Sequence, residues 1–254
     1  MEKANILGVN IDLVRLDDVL AIIQETVTAG RRLLIAHVNV LGINIAYEQA
    51  WYREFLNGAD LVYCDGMGVK LAGHLMGYDI PERFTLADWA WQLAEMGERC
   101  GFSLFLLGNP PGTAEKAAAH LQQLHHALNI AGTRHGFFDK TVGHPENEAI
   151  LEQINVARPN ILLVGFGMPV QEKWLEENWP RLGVNVAIAC GALFEYLAGD
   201  LPRGPRWMTQ NYLEWLARLL ISPRRYWKRY LIDNPLFMFR VLRQKLGVPS
   251  QASD

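Results

Sequence analysis

The chain has 254 residues, half of them hydrophobic, enough for one large domain or for one domain with an appendage. Its three cysteines (Cys64, Cys100, Cys190) are odd in number and far apart, which fits neither a disulfide framework nor a zinc site and suits a reducing cytoplasm. The net charge of −3 hides an asymmetry: residues 203–245 hold ten Lys and Arg against two Asp and Glu, a local +8 on a body of −11, so an anionic partner such as a membrane surface or phosphate groups is expected.

In chain order, "MEKANILGVNIDLVRLDD" lacks the apolar stretch of a secretory leader, so none is expected. Nowhere do about 18 apolar residues follow one another, as a membrane span requires. Strands are predicted at "NILGV", "RLLIAHV", "LVYC", "FSLFLLG", "LNIAGTRH", "NILLVGF" and "VNVAIAC". Helical patterns lie between them near 17–29, 41–55, 66–77, 85–99, 112–127, 146–157, 169–179 and 191–198. Short apolar runs rich in Val, Ile and Leu fit strands covered on both faces, and their alternation with helices predicts an α/β fold with a mainly parallel sheet.

Three strand ends share one design, an apolar run, a glycine and then a helix: "LLGNPPGTAEK", "LLVGFGMPVQE" and "AIACGALFEYL". Ligands of open parallel sheets bind outside the carboxyl ends of the strands, and a helix N-terminus there offers free N–H groups to phosphate. The three together point to a nucleotide site. None is a Walker loop or a full G-x-G-x-x-G fingerprint. In "GFGMPVQEKW", Pro169 suits the first turn of a helix, and Glu172 and Lys173 read as its solvated start.

Four side chains at or near strand ends are candidates for chemistry. Asp65, closing "ADLVYCDGMG" before Gly66, is placed either as a base or hydroxyl ligand or as a helix N-cap. Asn39 either binds a ligand or caps a helix, His37 is either catalytic or structural, and Arg83 either binds phosphate or lies on the surface. With no D-x-D pair and no His/Cys cluster, neither a metal nor another cofactor is expected. A departing nucleoside diphosphate would then need arginines to stabilise its charge.

From Pro202 the character changes. "WMTQNYLEWLARLLI" repeats apolar residues every three to four positions as an amphipathic helix, Ser222-Pro223 breaks it, and "RRYWKRYLIDNP" interleaves cations with Trp and Tyr. Such mixtures sit in a membrane interface; a helical pair packed on the domain is the plainer alternative, and no nucleic-acid module is present. The chain therefore divides into 1–202, catalytic, and 203–254, a basic helical appendage.

Asn39, "ADLVYCDGMGVK", "ERFTLAD", "GFGMPVQEKW", "CGALFEYLAGDLPRGPRWM" and "LEWLARLLISPRRYWKRY" follow in an order that resembles the WecG/TagA/CpsF glycosyltransferases, family 26, from about residue 5 to residue 240. The resemblance implies a Rossmann-like fold and an inverting, metal-independent transfer of an N-acetylmannosamine-type sugar. The donor would be a UDP-sugar and the acceptor a polyprenyl-diphosphate-linked GlcNAc, in cell-surface polysaccharide synthesis such as that of teichoic acid. It implies a peripheral location on the cytoplasmic face of the membrane, with docking through residues 203–245, and leaves homo-oligomerisation open.

By position, the resemblance makes Asp65 the general base, with Asn39 and Gln171 orienting sugars and Arg83 meeting acceptor or phosphate oxygens. Arg218, Arg224 and Arg225 become the cations that offset the leaving UDP. Gly108, Gly165, Gly167 and Gly191 would line the nucleotide pocket with Pro169 clearing space beside them, and Phe138 would meet the base. His37, Gly66, Thr85 and Glu195 fall in the same motifs. His37 replaces the small residue usual two positions before Asn39, Leu86-Ala87 replace Gly-Ser, and Glu195 replaces an aspartate, so the substitutions gather around the two substrate pockets. The competing expectations are a different nucleotide enzyme, an oxidoreductase or epimerase, and an inactive membrane-tethered scaffold.

Overall fold

The computed structural model describes residues 1–201, 214–221 and 223–247. An antiparallel hairpin, β1 (Lys3–Ile6) and β2 (Val9–Asp12), stands apart from the main sheet. The single strand expected at "NILGV" is thus the tip of a hairpin. Leu7 and Gly8 both take positive φ (51° and 84°), the backbone of a tight turn, and an apolar residue in that position disguises it. Asp12 ties the hairpin to the sheet by accepting a 2.8 Å hydrogen bond from the Val62 N–H.

The main sheet contains β3 (Leu33–Val38), β4 (Leu61–Cys64), β5 (Ser103–Gly108), β6 (Asn129–Arg134), β7 (Ile161–Gly165) and β8 (Val186–Ala189) in the order β4-β3-β8-β7-β5-β6. Every neighbouring pair is parallel, which confirms the expected α/β, Rossmann-like architecture. Side chains alternate between the faces. Leu34, Ala36, Val38, Phe105, Leu107, Leu162 and Val164 enter one apolar cluster, and Leu33, Ile35, Leu104, Leu106, Ile161 and Leu163 enter the other.

Helices α1 (Leu16–Thr28), α5 (Leu86–Cys100), α6 (Thr113–Leu124) and α9 (Leu193–Leu197) cover the second face. Helices α2 (Val40–Glu48), α3 (Ala50–Gly58), α4 (Met67–Leu75), α7 (Pro145–Ala157) and α8 (Val170–Asn178) cover the first. The helix expected over 41–55 is two helices, because Gln49 adopts extended backbone (φ −125°, ψ 110°) between them. Local chemistry sets several ends: Thr85 and Asp88 form a capping box at the start of α5, and Gly101 closes it in the left-handed conformation.

The expected boundary after residue 202 falls in the undescribed residues 202–213. Beyond it lie α10 (Glu214–Ile221), α11 (Pro223–Lys228), a π-helical turn (Arg229–Asp233) and α12 (Asn234–Lys245). Helix α12 shares the core of the sheet domain: Phe237 and Val241 are fully buried in the cluster formed by α2, α3 and α4. Arg240 bonds Glu48 at 2.6 Å and Asn44 at 2.9 Å, and Gln244 accepts from the Leu7 N–H at 2.8 Å. Leu220, Trp227, Leu231, Phe239 and Leu246 of these helices and their end are exposed. Among the described residues no helix is long and apolar enough to cross a membrane.

Candidate active site

Because the sheet is parallel, the segments that follow β3, β4, β5, β7 and β8 emerge at one edge. Val38 pairs with Cys64, so Asn39 and Asp65 leave the sheet side by side; Gly108 pairs with Gly165, and Val164 with Ala189. Two clefts open along this edge. The first, about 460 Å³, is lined by His37, Asn39, Asp65, Thr85, Gly167 and Gln171, with the Cys190–Leu193 turn, Tyr196, Lys228 and Asp233. The second, about 700 Å³, is lined by Asn109, Gly136–Lys140, Gly165–Gly167, Gly191, Ala192 and Glu195. Both fall within the volume range of small-molecule sites. They meet at Gly167, Gly191 and Ala192, which line both.

In the first cleft, Asp65 lies 3.6 Å from His37, Oδ2 to Nε2, and both side chains are largely buried. The other ring nitrogen of His37 is 3.1 Å from the Ala189 carbonyl. Asn39 caps α2, its Oδ1 accepting from the Gly42 N–H at 3.1 Å, while the residue also lines the cleft. Thr85, at the cap of α5, also lines the cleft. Arg83 stands 3.9 Å from Asp88 and is not among the lining residues of either cleft. Gly66 begins α4 with a φ of 154° and does not line the clefts.

The glycines make the junction from main chain alone. A Cβ on Gly108 would lie 2.3 Å from the Gly165 carbonyl oxygen, and one on Gly165 would lie 2.7 Å from the Gly191 oxygen. Gly108 therefore brings strand ends together without lining a cleft, whereas Gly165, Gly167 and Gly191 do line them. Pro169 follows a cis Met168–Pro169 peptide and precedes α8 as its cap residue.

Gln171 is fully buried. Its Oε1 accepts from the Gly167 N–H (3.2 Å) and the Gly191 N–H (2.9 Å), so one carboxamide brackets the two turns shared by the clefts. Its Nε2 donates to Glu172 at 2.8 Å. Glu172 is not the solvated residue expected from the sequence: it is 1% exposed, turned into the α3–α8 interface beside the Tyr52 hydroxyl. Burial pushes its carboxyl up to about 7, against the pull of the Gln171 hydrogen bond. Lys173 is exposed as expected, pairing with Glu176 at 2.8 Å.

In the second cleft Phe138 meets Phe166 edge to face at 5.7 Å, and the Lys140 ammonium lies 4.4 and 4.6 Å from the two ring centres. Lys140 also donates to the Gly136 and Phe138 carbonyls, and its pKa is lowered by burial. Glu195 lines this cleft. Of the tail arginines, Arg224 is exposed on α11 and does not line either cleft; the side chains of Arg218 and Arg225 lie outside the described residues.

Sequence reasoning missed Lys140, Lys228, Asp233 and Tyr196 as lining residues. Lys140 stands two residues after Phe138 in a segment already singled out, and Lys228 is one helical turn beyond Arg224 in the basic run. Tyr196 adjoins Glu195 in a segment already singled out, and Asp233 carried no local signal.

Residues 4–251 match the model of the Glycosyl transferase WecG/TagA/CpsF family. The chain is also similar to proteins of Staphylococcus aureus strains NCTC 8325 / PS 47, COL and MW2, each named N-acetylglucosaminyldiphosphoundecaprenol N-acetyl-beta-D-mannosaminyltransferase. Each is 28% identical over 250 residues, covering 96% of this chain and 93% of the relative.

Proposed function

The chain belongs to the WecG/TagA/CpsF family of glycosyl transferases, and from that premise we propose that it moves an N-acetylmannosamine-type sugar from a UDP donor to a polyprenyl-diphosphate-linked GlcNAc, inverting the anomeric centre without a metal. The names of the relatives support the sugar and the acceptor. The observation that carries the mechanism is the joining of two clefts at Gly167 and Gly191, with a carboxylate, Asp65, in one and a glycine-floored, cation-bearing pocket as the other.

The donor's nucleotide occupies the second cleft. Gly165, Gly167 and Gly191 let the main chain approach it, Phe138 and Phe166 offer ring faces, and Lys140 offers positive charge. The acceptor sugar occupies the first cleft, between Asn39, Thr85 and Asp65. Asp65 removes the proton from the acceptor hydroxyl as its oxygen attacks the anomeric carbon from the face opposite the diphosphate, which inverts that centre. Gln171 acts by holding the Gly167 and Gly191 turns. Lys140, with an arginine from Arg218, Arg224 or Arg225, offsets the charge of the departing UDP.

The exposed Trp227, Leu231 and Phe239 beside the basic groups of residues 203–245 support peripheral docking on an anionic membrane, at the cytoplasmic face where such a lipid-linked acceptor would be met. UDP release in EDTA, with a lipid-linked GlcNAc acceptor and a panel of UDP-sugars, tests the proposal. Release confined to UDP-N-acetylmannosamine is expected. Release with a different UDP-sugar would overturn the donor assignment, and release with none would overturn the activity.

A further inference from the structure

We propose that His37 and Asp65 work as one proton-holding dyad in which His37, not Asp65, is the final seat of the proton taken from the acceptor hydroxyl. The inference rests on the transferase reaction above and assigns His37 a catalytic part in it.

The geometry fixes the tautomer. The Nδ1 atom of His37 lies 3.1 Å from the Ala189 carbonyl oxygen, which can only accept, so Nδ1 carries the hydrogen. In the neutral ring Nε2 then holds the lone pair, and Nε2 is the atom that faces Asp65, 3.6 Å from Oδ2. The sheet register enforces this. Ile35 pairs with Ile188, which brings His37, two residues on, beside the Ala189–Cys190 peptide, and His37 itself pairs with Tyr63, two residues before Asp65. The imidazole is thus anchored at one nitrogen to main chain and offers a proton-accepting nitrogen to the carboxylate at the other. The same two groups hold one proton as an imidazolium beside a carboxylate, a contact that becomes a charge-assisted hydrogen bond on closing by roughly 0.8 Å.

This changes the fate of the proton during transfer. The acceptor O–H bond breaks as its oxygen bonds the anomeric carbon. The bond from that carbon to the diphosphate oxygen breaks, and its electron pair leaves with UDP. The proton goes to Asp65 and on to Nε2 of His37, which restores the carboxylate and leaves an imidazolium. Passing the proton on to Nε2 returns Asp65 to its charged form, so the carboxylate is not left protonated at the end of the transfer. The competent state is the one lacking the shared proton, so activity is lost as pH falls through the titration of the dyad.

Among the described residues, other titratable or charged groups around the dyad include Tyr63 and Cys64 from β4, Lys70 of α4, Cys190 after β8, Arg83 and Asp88 before and within the first turn of α5, and Lys228 and Asp233 from the C-terminal helices, with Tyr196 of α9 in the cleft lining. Burial raises Tyr63 and Cys190 well above their usual ranges, so both stay neutral while the dyad titrates.

The test is His37→Asn, whose amide nitrogen keeps the bond to the Ala189 carbonyl but accepts no proton. UDP release would be followed against pH, with kcat and donor KM separated. We expect kcat to fall at least about tenfold with donor KM unchanged, and the acid limb to move to lower pH. In parallel, nitrogen-15 histidine spectra of the wild-type protein should show His37 as the Nδ1–H tautomer, with a titration that shifts in Asp65→Asn. A wild-type acid limb and kcat in His37→Asn would overturn the dyad. So would a reduced kcat with an unmoved acid limb, or an Nε2–H tautomer. If wild-type protein releases no UDP with any donor, the transferase activity fails instead, and the spectra still decide whether the two side chains share a proton.

Discussion

Replacing Glu172 by Gln should stabilise the protein by an amount that grows as pH rises from about 4.5 to about 7, is full above that, and is small near pH 5. Glu172 is buried between α3 and α8, and burial raises its carboxyl from the ordinary 4.5 to about 7 in the folded state. Between those two values the unfolded chain has lost the proton while the folded chain keeps it. Stability therefore falls as pH rises from about 4.5 to about 7, and levels off above. A span of about 2.5 pH units at about 1.4 kcal/mol each gives about 3 kcal/mol lost once the folded carboxyl ionises. Glutamine has the same shape, its carbonyl can accept from Gln171 Nε2 as Glu172 Oε1 does at 2.8 Å, and it never ionises. Thermal melts of the two proteins across pH 5 to 8.5 give the difference directly, since every other titrating group is shared. At pH 8.5 the variant should melt roughly 6–12 °C higher, taking about 2–4 °C per kcal/mol for a chain of this size. At pH 5 the melting points should agree to within about 3 °C. A difference that is the same at both pH values would refute the buried, proton-retaining carboxyl.

Asp65→Asn should retain UDP binding in calorimetry while turnover drops by about 10²–10⁴-fold, the usual contribution of a positioned base; intact turnover would remove Asp65 from that role. Gly108→Ala would place a methyl 2.3 Å from the Gly165 carbonyl oxygen at a φ of 148°, so the protein should lose its cooperative thermal transition or melt far lower, and an unchanged melt would contradict the close strand packing. Trp227→Ala with Leu231→Ala, both exposed, should leave the melting temperature unchanged within about 2 °C yet reduce co-sedimentation with anionic vesicles, and added salt should weaken the remainder. Undiminished vesicle binding would move the docking surface elsewhere.

The parallel sheet was legible because strands buried on both faces leave a dense signal. "LLIAHV" and "SLFLLG" are buried at all six positions, and no solvated face dilutes them. The hairpin was not, because Leu7 in a left-handed turn looks like part of a strand. Asp65, Asn39 and the three glycine turns were legible because parallel strands deliver whatever follows them to one edge. Glu172 was misplaced for a different reason. A charged residue after proline at a helix start ordinarily faces solvent, and only the tertiary packing of α3 against α8 turns this one inward. Lys228 and Asp233 reach the first cleft from a segment far along the chain, so no local pattern could pair them with Asp65.

The junction of Gly108, Gly165 and Gly191 has a consequence for changing what the protein accepts. Where strand ends touch through main chain, the floor of the site has no side chains to exchange, and adding one collides with backbone that has no room to retreat. Variation in substrate must come from side chains such as Ala87, Tyr196 and Phe138, which border the clefts without holding the sheet ends together. A library confined to those three positions would vary the shape of the pocket while leaving untouched the platform on which the two substrates meet.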